Sequence, residues 1–410
     1  MCKGYFKIIF GLIAVLLTSN LYAQEVDLLF KNGHVFDPAN QVDTIADVSI
    51  IDGKIAEVSQ NISSETAKVV VDATGLFVVP GLIDTHTHVF VGPEAKKFAN
   101  GINSLSPDDF SFKAGVTTVV DAGTSGWRNF PQFKEQVIDQ SKTRILAFLN
   151  IAGHGMTGDE LEGDISEMNV AKTVEMINQY PNTIVGIKIG HYNGKDWTPF
   201  ERTIEAGEKT NRPIFVECHL PEYTLEDQLA HMRPGDIITH TFEHISERKP
   251  VVDQNGTVLP VVMEAKERGI LFDVGHGGAG FWFDQGIPAI EQGFWPNSFG
   301  TDLHRFSMNA GMKDFLNVMS KFLNMGIPLK EVFKRGSWYP AKSIGRNDLG
   351  HLGVGAVADI AVLRLREGTF GYIDARNNLL KGDKKLEAEL TVKDGKIVWD
   401  LNGLSAKPID

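Results

Sequence analysis

Eight apolar runs recur between residues 82 and 304, and most of them are separated by longer segments of helical character. Alternating strands and helices favour a parallel sheet covered by helices, and eight such units are typical of a closed barrel. We therefore predict an α/β fold with a (β/α)8 TIM-like barrel. A doubly wound Rossmann sheet is the alternative, but no Gly-x-Gly-x-x-Gly turn lies in a convincing strand–turn–helix context. The predicted strands span 82–88, 116–123, 144–153, 184–189, 213–220, 236–241, 270–277 and 298–304.

The connecting segments contain several predicted helices. The clearest begins near Asp164, where Glu167 completes a capping box, and it ends before Pro181. Further helices are predicted at 199–210, 225–233, 261–268 and 312–325.

Both ends of the chain have a different pattern, with short strands and tight turns. Residues 46–58 and 388–399 each contain two apolar runs joined at an Asp-Gly turn, which is a strong hairpin signal. We predict that the two ends form one small discontinuous β-sandwich domain. The predicted boundaries are 25–80 for its first part, 81–346 for the barrel and 347–402 for its second part.

Residues 1–23 predict a secretory signal peptide. Lys3 and Lys7 precede a short apolar core, and Ala23 stands before a polar break. The core is shorter than the ~20 residues of a membrane span, although an uncleaved anchor is the alternative. Cleavage would make the protein periplasmic or secreted, without stable membrane association. It would also leave Cys218 as the sole thiol, so no internal disulfide could form.

The charge balance narrows the range of partners. The formal net charge is −12, and no basic run suggests a nucleic-acid arm. Nucleic acid and anionic lipid are therefore disfavoured, and a small-molecule substrate is expected. The sequence leaves homo-oligomerisation open.

The first predicted barrel strand ends in His86-Thr87-His88. Alternate residues of a strand share a face, so the two imidazoles point the same way. Such a pair can chelate one divalent cation, for which zinc is the expected metal. The alternative is two hydrogen-bonded polar residues at a strand end.

Four other predicted strand ends carry groups that can bind a metal, namely Lys188, His219, His240 and Asp302. Singly, each has an ordinary explanation: a solvated lysine, a hydrogen-bonded histidine or a turn aspartate. Because a TIM barrel gathers its chemistry at the carboxyl ends of its strands, all four would meet His86 and His88. His244 competes with His240 as the ligand from strand six, but His240 closes the apolar run.

This order of residues, Asp-x-His-x-His followed by Lys, His, His and Asp, resembles the amidohydrolase superfamily in its binuclear-metal subtype. The segment 347–360 is similar to the stretch where such enzymes leave the barrel for the sandwich. More narrowly, GHGGAGF at 275–281 and GTDLH at 300–304 resemble amidohydrolase/deacetylase-like metallohydrolases, which are relatives of dihydroorotase.

The resemblance implies two divalent metal ions, with zinc expected. His86, His88 and Asp302 would hold one ion, and His219 and His240 would hold the other. Lys188 would bridge both as a carbamate, N6-carboxylysine. A hydroxide shared by the metals would attack the substrate carbonyl, and Asp302 would act as the catalytic proton shuttle.

Other polar residues follow the predicted strands. Glu217 shares the face of His219 and is expected to support a ligand. The candidate substrate-binding residues are four histidines: His154, His191, His276 and His304.

The sequence thus predicts a metal-dependent hydrolase that cleaves an amide or ester bond of a small molecule, with a deacylase as the first choice. A cyclic amidase of the dihydroorotase or hydantoinase kind is the nearest alternative, although export argues against a role in pyrimidine synthesis. A mononuclear deaminase would not need Lys188. A non-catalytic metal- or solute-binding protein is the last alternative.

Overall fold

The computed structural model describes residues 25–158, 160–192, 194–218, 223–244 and 250–409. The predicted signal peptide and His219 lie outside the described residues. Within those ranges, no helix has the length and apolar character that crossing a membrane requires.

The strands are β1 (Val26–Asp37), β2 (Val42–Ile51), β3 (Lys54–Ser59), β4 (Ala67–Asp72), β5 (Phe77–Pro80), β6 (Leu82–Thr87), β7 (Val91–Glu94), β8 (Val116–Gly126), β9 (Arg144–Asn150), β10 (Ile184–Gly190), β11 (Ile214–Glu217), β12 (Ile237–Ile238), β13 (Leu271–Phe272), β14 (Ile360–Ile373), β15 (Leu379–Lys393) and β16 (Lys396–Asp400). The α-helices are α1 (Phe130–Phe133), α2 (Val170–Gln179), α3 (Thr198–Thr210), α4 (Leu225–His231), α5 (Pro260–Glu267), α6 (Phe283–Glu291), α7 (Phe315–Asn324), α8 (Leu329–Gly336) and α9 (Trp338–Ser343). Short 3-10 turns are Pro107–Asp109, Phe112–Ala114 and Ile165–Glu167, and Lys134–Ile138 is a π-helical turn.

The central part of the chain forms a curled parallel sheet in the order β6-β8-β9-β10-β11-β12-β13. The segment 298–303 closes it into a barrel, since Ser298 bridges Asp273 beyond β13 and Leu303 bridges Thr87 on β6. The predicted (β/α)8 barrel is confirmed. The predicted eighth strand is only a pair of isolated bridges, because the left-handed backbone of Asp302 (φ 51) interrupts a regular ladder.

The helix predicted to begin near Asp164 begins instead at Val170. The Asp164 side chain accepts a hydrogen bond from the Ser166 amide and caps a separate 3-10 turn. Asn169 then caps α2 by accepting from the Lys172 amide. The segment therefore contains two local cap sites, and the second starts the helix.

Both chain ends build a β-rich domain, as predicted. Its strands form one hydrogen-bonded sheet in the order β16-β15-β14-β5-β1-β2-β3, with β4 paired to β1. The two ends join where β5 lies parallel to β1 and antiparallel to β14. Apolar side chains from both ends enclose a core of their own, which includes Phe30, Val48, Val78, Ile360 and Leu390.

Candidate metal centre

His86, His88 and Asp302 come together at the carboxyl end of the barrel sheet. His86 lies on β6, and His88 is the first residue after that strand. Both side chains are buried. Asp302 Oδ1 is 2.9 Å from His88 Nε2 and 3.5 Å from His86 Nε2. One ligand atom from each residue therefore lies within 4.8 Å of the others, which is a spacing that one cation could fill.

The ring of His86 is oriented by two residues from neighbouring strands. The Thr239 hydroxyl donates to Asp273 Oδ2 (2.8 Å), so it accepts from His86 Nδ1 (2.9 Å). The proton of His86 therefore resides on Nδ1, and its Nε2 carries the lone pair. Burial lowers the pKa of His86 to about 4, which keeps the ring neutral and able to bind a metal.

Asp273 holds this part of the site together. Its carboxylate accepts from the Thr85 hydroxyl at 3.0 Å, from the Gly300 amide at 2.9 Å and from the Ser298 hydroxyl. Burial alone would raise the pKa of Asp273, but the neighbouring His86 ring and the hydroxyl groups of Ser298 and Thr239 hold it below its usual value. The carboxylate thus stays ionised and fixes residues from three barrel segments.

His240 and Glu217 form a second group with His86. One ligand atom from each of the three lies within 4.8 Å of the others. His240 donates from Nδ1 to the Gly275 carbonyl (2.6 Å), and its Nε2 is 3.0 Å from Glu217 Oε1. Burial opposes a charge on His240, but Glu217 raises its pKa to about 9. A cation at Nε2 would therefore have to displace a proton.

Lys188 contacts this second group through Glu217. Its side chain is 1% exposed, and its ammonium pairs with Glu217. Its chain packs so closely against β8 that a Cβ on Gly123 would lie 2.5 Å from Lys188 Cγ. Lys188 is thus buried and in contact with one potential ligand residue, and its conversion to a bridging carbamate stays a prediction.

The two groups share His86 and together have the donor chemistry of a binuclear site. The fit is supported by His86 Nε2, a buried atom that has no hydrogen-bond partner among the described residues. A neutral imidazole nitrogen with a free lone pair is a typical zinc ligand. The predicted ligands that the structure brings together are His86, His88, Lys188, His240 and Asp302.

Asp302 is fixed in an ionised form. Burial would raise its pKa, but the neighbouring His304 and His86 hold the pKa of this carboxyl well below its usual range. His304 Nε2 lies 3.7 Å from Asp302 Oδ2. A Cβ on Gly277 would lie 2.1 Å from that same oxygen, so the carboxylate can occupy this place only beside a glycine.

The structure separates His240 from its competitor. His240 is buried among the ligand groups, whereas His244 is exposed and its ring faces Trp282 at 5.5 Å.

We expect His240→Asn to lose one of two bound zinc ions, because asparagine tolerates the left-handed backbone at this position (φ 51) but lacks the imidazole. His244→Asn is the matched control and should keep both ions. Zinc content per chain measures this, and equal losses in the two variants would contradict the assignment.

The candidate substrate-binding histidines have different surroundings. His191 is bound between two carboxylates, Glu162 at 3.0 Å and Glu217 at 3.1 Å. His304 lies beside Asp302 and next to the ring of Phe98. His154 Nε2 lies 3.8 Å from Glu167 Oε2. Substrate contact by these residues stays a prediction.

His276, the fourth candidate substrate-binding histidine, is not exposed as loop residues usually are. Its ring is fully buried, and its Nε2 is 2.6 Å from Lys321 Nζ. Burial and the lysine charge hold the pKa of His276 well below its usual range, so the ring is neutral. Contact of His276 with substrate also stays a prediction.

Sequence reasoning missed Thr239, Asp273 and Lys321. Asp273 and Thr239 follow short apolar runs, as the predicted ligands do, and that position could have identified them as site residues. Lys321 lies inside an apolar helix face, where a lone charged residue was the available clue.

The chain is similar to several known proteins along most of its length. A model of the amidohydrolase family matches residues 287–398. The chain is 31% identical over 350 residues to a deacetylase of Agrobacterium fabrum, an alignment that covers 83% of each protein. A crystal structure of an adenine deaminase has a TM-score of 0.83 and 27% identity, covering 92% of this chain and 100% of that one. A dihydroorotase structure has a TM-score of 0.80 and 28% identity, covering 91% and 99%.

Proposed function

Because this chain belongs to the amidohydrolase superfamily, we propose that it is a metal-dependent deacylase that hydrolyses the bond between an acyl group and the amine or alcohol of a small molecule. As a member of this superfamily, the chain is a hydrolase that acts on a small-molecule substrate. The deacylase assignment is supported by the similarity to a protein named a deacetylase, which extends over 83% of each chain.

One observation carries the proposal. Two groups of buried ligand atoms, which share His86, meet at the carboxyl ends of the barrel strands. This end of a TIM barrel is where catalytic residues collect. His86 and Asp273 are buried and linked through the Thr239 hydroxyl, so these hydrogen bonds fix the orientation of the His86 ring.

In the proposed site, His86, His88 and Asp302 hold one zinc ion and His240 holds the second. His219, which lies outside the described residues, is proposed as a further ligand of the second ion. Bound zinc supplies a nucleophilic hydroxide near neutral pH and polarises the scissile carbonyl.

Lys188 is proposed to become the bridging ligand by reacting with carbon dioxide. The Lys188 ammonium would first lose a proton, the neutral Nζ would then form a bond to the carbon as a second proton leaves, and the product would be an anionic carbamate. The carbamate would pair with metal instead of with Glu217. Glu217 would keep His191 as a partner at 3.1 Å, whereas His240 Nε2, now 3.0 Å from Glu217, would turn to the metal.

Asp302 is proposed to move the proton. Its Oδ1 is anchored by His88, whereas Oδ2 lies on the side of His304 and Gly277. An ionised carboxylate can take a proton from the attacking nucleophile and pass it to the leaving nitrogen or oxygen. The position of His88, with Nε2 2.9 Å from Asp302 Oδ1, fixes the orientation of the carboxylate.

Product analysis tests the reaction class. Zinc-loaded full-length protein would be incubated with N-acyl amino acids, O-acyl hydroxy acids, hydantoin, dihydroorotate and adenine. Release of a free acid together with an amine or alcohol supports the deacylase. A single ring-opened product would replace it with a cyclic amidase, for which the dihydroorotase-like fold is the supporting observation. Ammonia from adenine would indicate a deaminase, and bound zinc without any turnover would indicate a binding protein.

A further inference from the structure

The loop of residues 275–281, which follows β13, contacts two of the proposed metal ligands. The Gly275 carbonyl accepts from His240 Nδ1 at 2.6 Å, and this bond directs His240 Nε2 towards Glu217. Gly277 lies against Asp302 Oδ2. Both glycines have a left-handed backbone, with φ of 50 and 48, so the loop has one specific shape. A small displacement of this loop would move His240, Asp302 or both.

The loop is anchored by a buried hydrogen-bond pair. A charged lysine can only donate, so His276 Nε2 accepts from the Lys321 ammonium, whose Nζ is 2.6 Å away. The proton of His276 therefore resides on Nδ1, which is 3.1 Å from the Gly277 carbonyl. Lys321 also donates to the Gly311 carbonyl at 2.6 Å and so ties the loop to the segment after Asp302.

Lys321 is an unusual residue for this location. Its side chain is fully buried in α7, and burial lowers its pKa to about 7. Its hydrogen-bond partners in the described part of the chain are His276 and a backbone carbonyl, not a carboxylate. Burial of this ammonium is unfavourable, and the nearby carboxylates of Asp314 and Asp374 offset only part of that cost.

The helix that carries Lys321 is held by the β-rich domain. The Ser320 hydroxyl accepts from the Leu386 amide at 3.0 Å, and Asn324 Nδ2 donates to the Lys384 carbonyl at 2.7 Å. Both contacts are to β15. A continuous set of hydrogen bonds thus runs from the β-rich domain through α7 to the 275–281 loop.

We propose that Lys321 and His276 are positioning residues that fix the 275–281 loop, and through it the geometry of His240 and Asp302 in the metal site. The proposal rests on the metal-binding part of the proposed function, but not on the identity of the substrate. The GHGG motif then has a structural role, because its glycines allow close approach to two ligands and its histidine anchors the loop that contacts them.

The test measures how fast zinc leaves the full-length protein when a chromophoric chelator is added. Lys321→Met removes the donor but keeps a long apolar side chain, and it should release the ion held by His240 about 10-fold faster or more. Lys321→Gln retains an N–H donor and should restore part of the retention. Lys266→Met is the matched control, because Lys266 is another largely buried lysine that donates to a backbone carbonyl, that of Trp295.

A second pair of variants keeps the test decisive if Lys321→Met does not fold. His276→Gln should accelerate zinc release, whereas Gly278→Ala should not, since a Cβ on Gly278 meets no atom within 4 Å. Zinc release unchanged in both Lys321→Met and His276→Gln would overturn the proposal, as would wild-type protein that binds no zinc. Faster release without deacylase activity on any substrate would support the positioning role and reject only the proposed reaction.

Discussion

Asp302→Asn is expected to lower kcat by about 100- to 10,000-fold, because an amide cannot accept the proton that the carboxylate is proposed to transfer. The amide oxygen can still serve as a metal ligand at the position of Asp302 Oδ1, which lies 2.9 Å from His88 Nε2. Zinc binding should therefore largely persist. Steady-state kinetics on a substrate found by the product analysis, together with zinc content per chain, separates the two effects.

The matched control for this substitution is Asp139→Asn. Asp139 is a surface carboxylate, 49% exposed, that pairs with Lys134. The Asp139→Asn variant should retain wild-type turnover. An Asp302→Asn variant that binds zinc and turns over at the wild-type rate would contradict the role of Asp302 as the proton shuttle. Loss of activity only in proportion to lost zinc would assign Asp302 to metal binding alone.

Lys188→Ala is expected to lower kcat by about 1,000-fold or more, equivalent to roughly 4 kcal/mol of transition-state stabilisation. The bridging carbamate would be lost and the zinc content should fall. A short carboxylic acid such as acetate or propionate should restore part of both, because the truncated side chain leaves space for an anionic oxygen ligand beside Glu217. Intact mass of the zinc-loaded wild type under native conditions should show the mass of one added carbon dioxide.

Carboxylation and metal binding should depend on one another. A carbamate at Lys188 would add a second anion beside Glu217, which is buried and ionised, and nearby cations are needed to offset the repulsion. Removing zinc should therefore also remove the added mass. Lys330→Ala, at an exposed lysine (61%), is the control and should change neither property. Full activity of Lys188→Ala without an added acid would contradict the bridging role.

The sequence contained the information that brings the principal ligands together. Strand parity put His86 and His88 on one face, and barrel topology brought residues as distant as His88 and Asp302 to the same end. Both rules depend only on which residues end the strands. They do not require side-chain geometry, and this is why they succeeded.

The orientation of those ligands could not be predicted. The proton on His86 Nδ1 is fixed by Thr239, which is fixed in turn by Asp273, and the three residues come from three different parts of the barrel. Their contacts exist only after the sheet has curled and closed. A sequence shows three polar residues after apolar runs but not the direction of their hydrogen bonds.

The burial of His276 also could not be predicted from the sequence. Its glycine-rich surroundings are typical of a loop, and loops are usually exposed. The structure buries the ring against Phe281 and pairs it with Lys321, which is 45 residues away in sequence. Long-range burial of this kind depends on how α7 packs, which local sequence does not encode.

The central claim is that side chains from separate barrel strands jointly hold a pair of metal ions. Anomalous diffraction at the zinc edge, on crystals of zinc-loaded full-length protein, tests it most directly. We expect two neighbouring peaks, one in contact with His86, His88 and Asp302 and the other in contact with His240 and Lys188. A single peak away from Lys188, or no peak at the carboxyl end of the barrel, would contradict the claim.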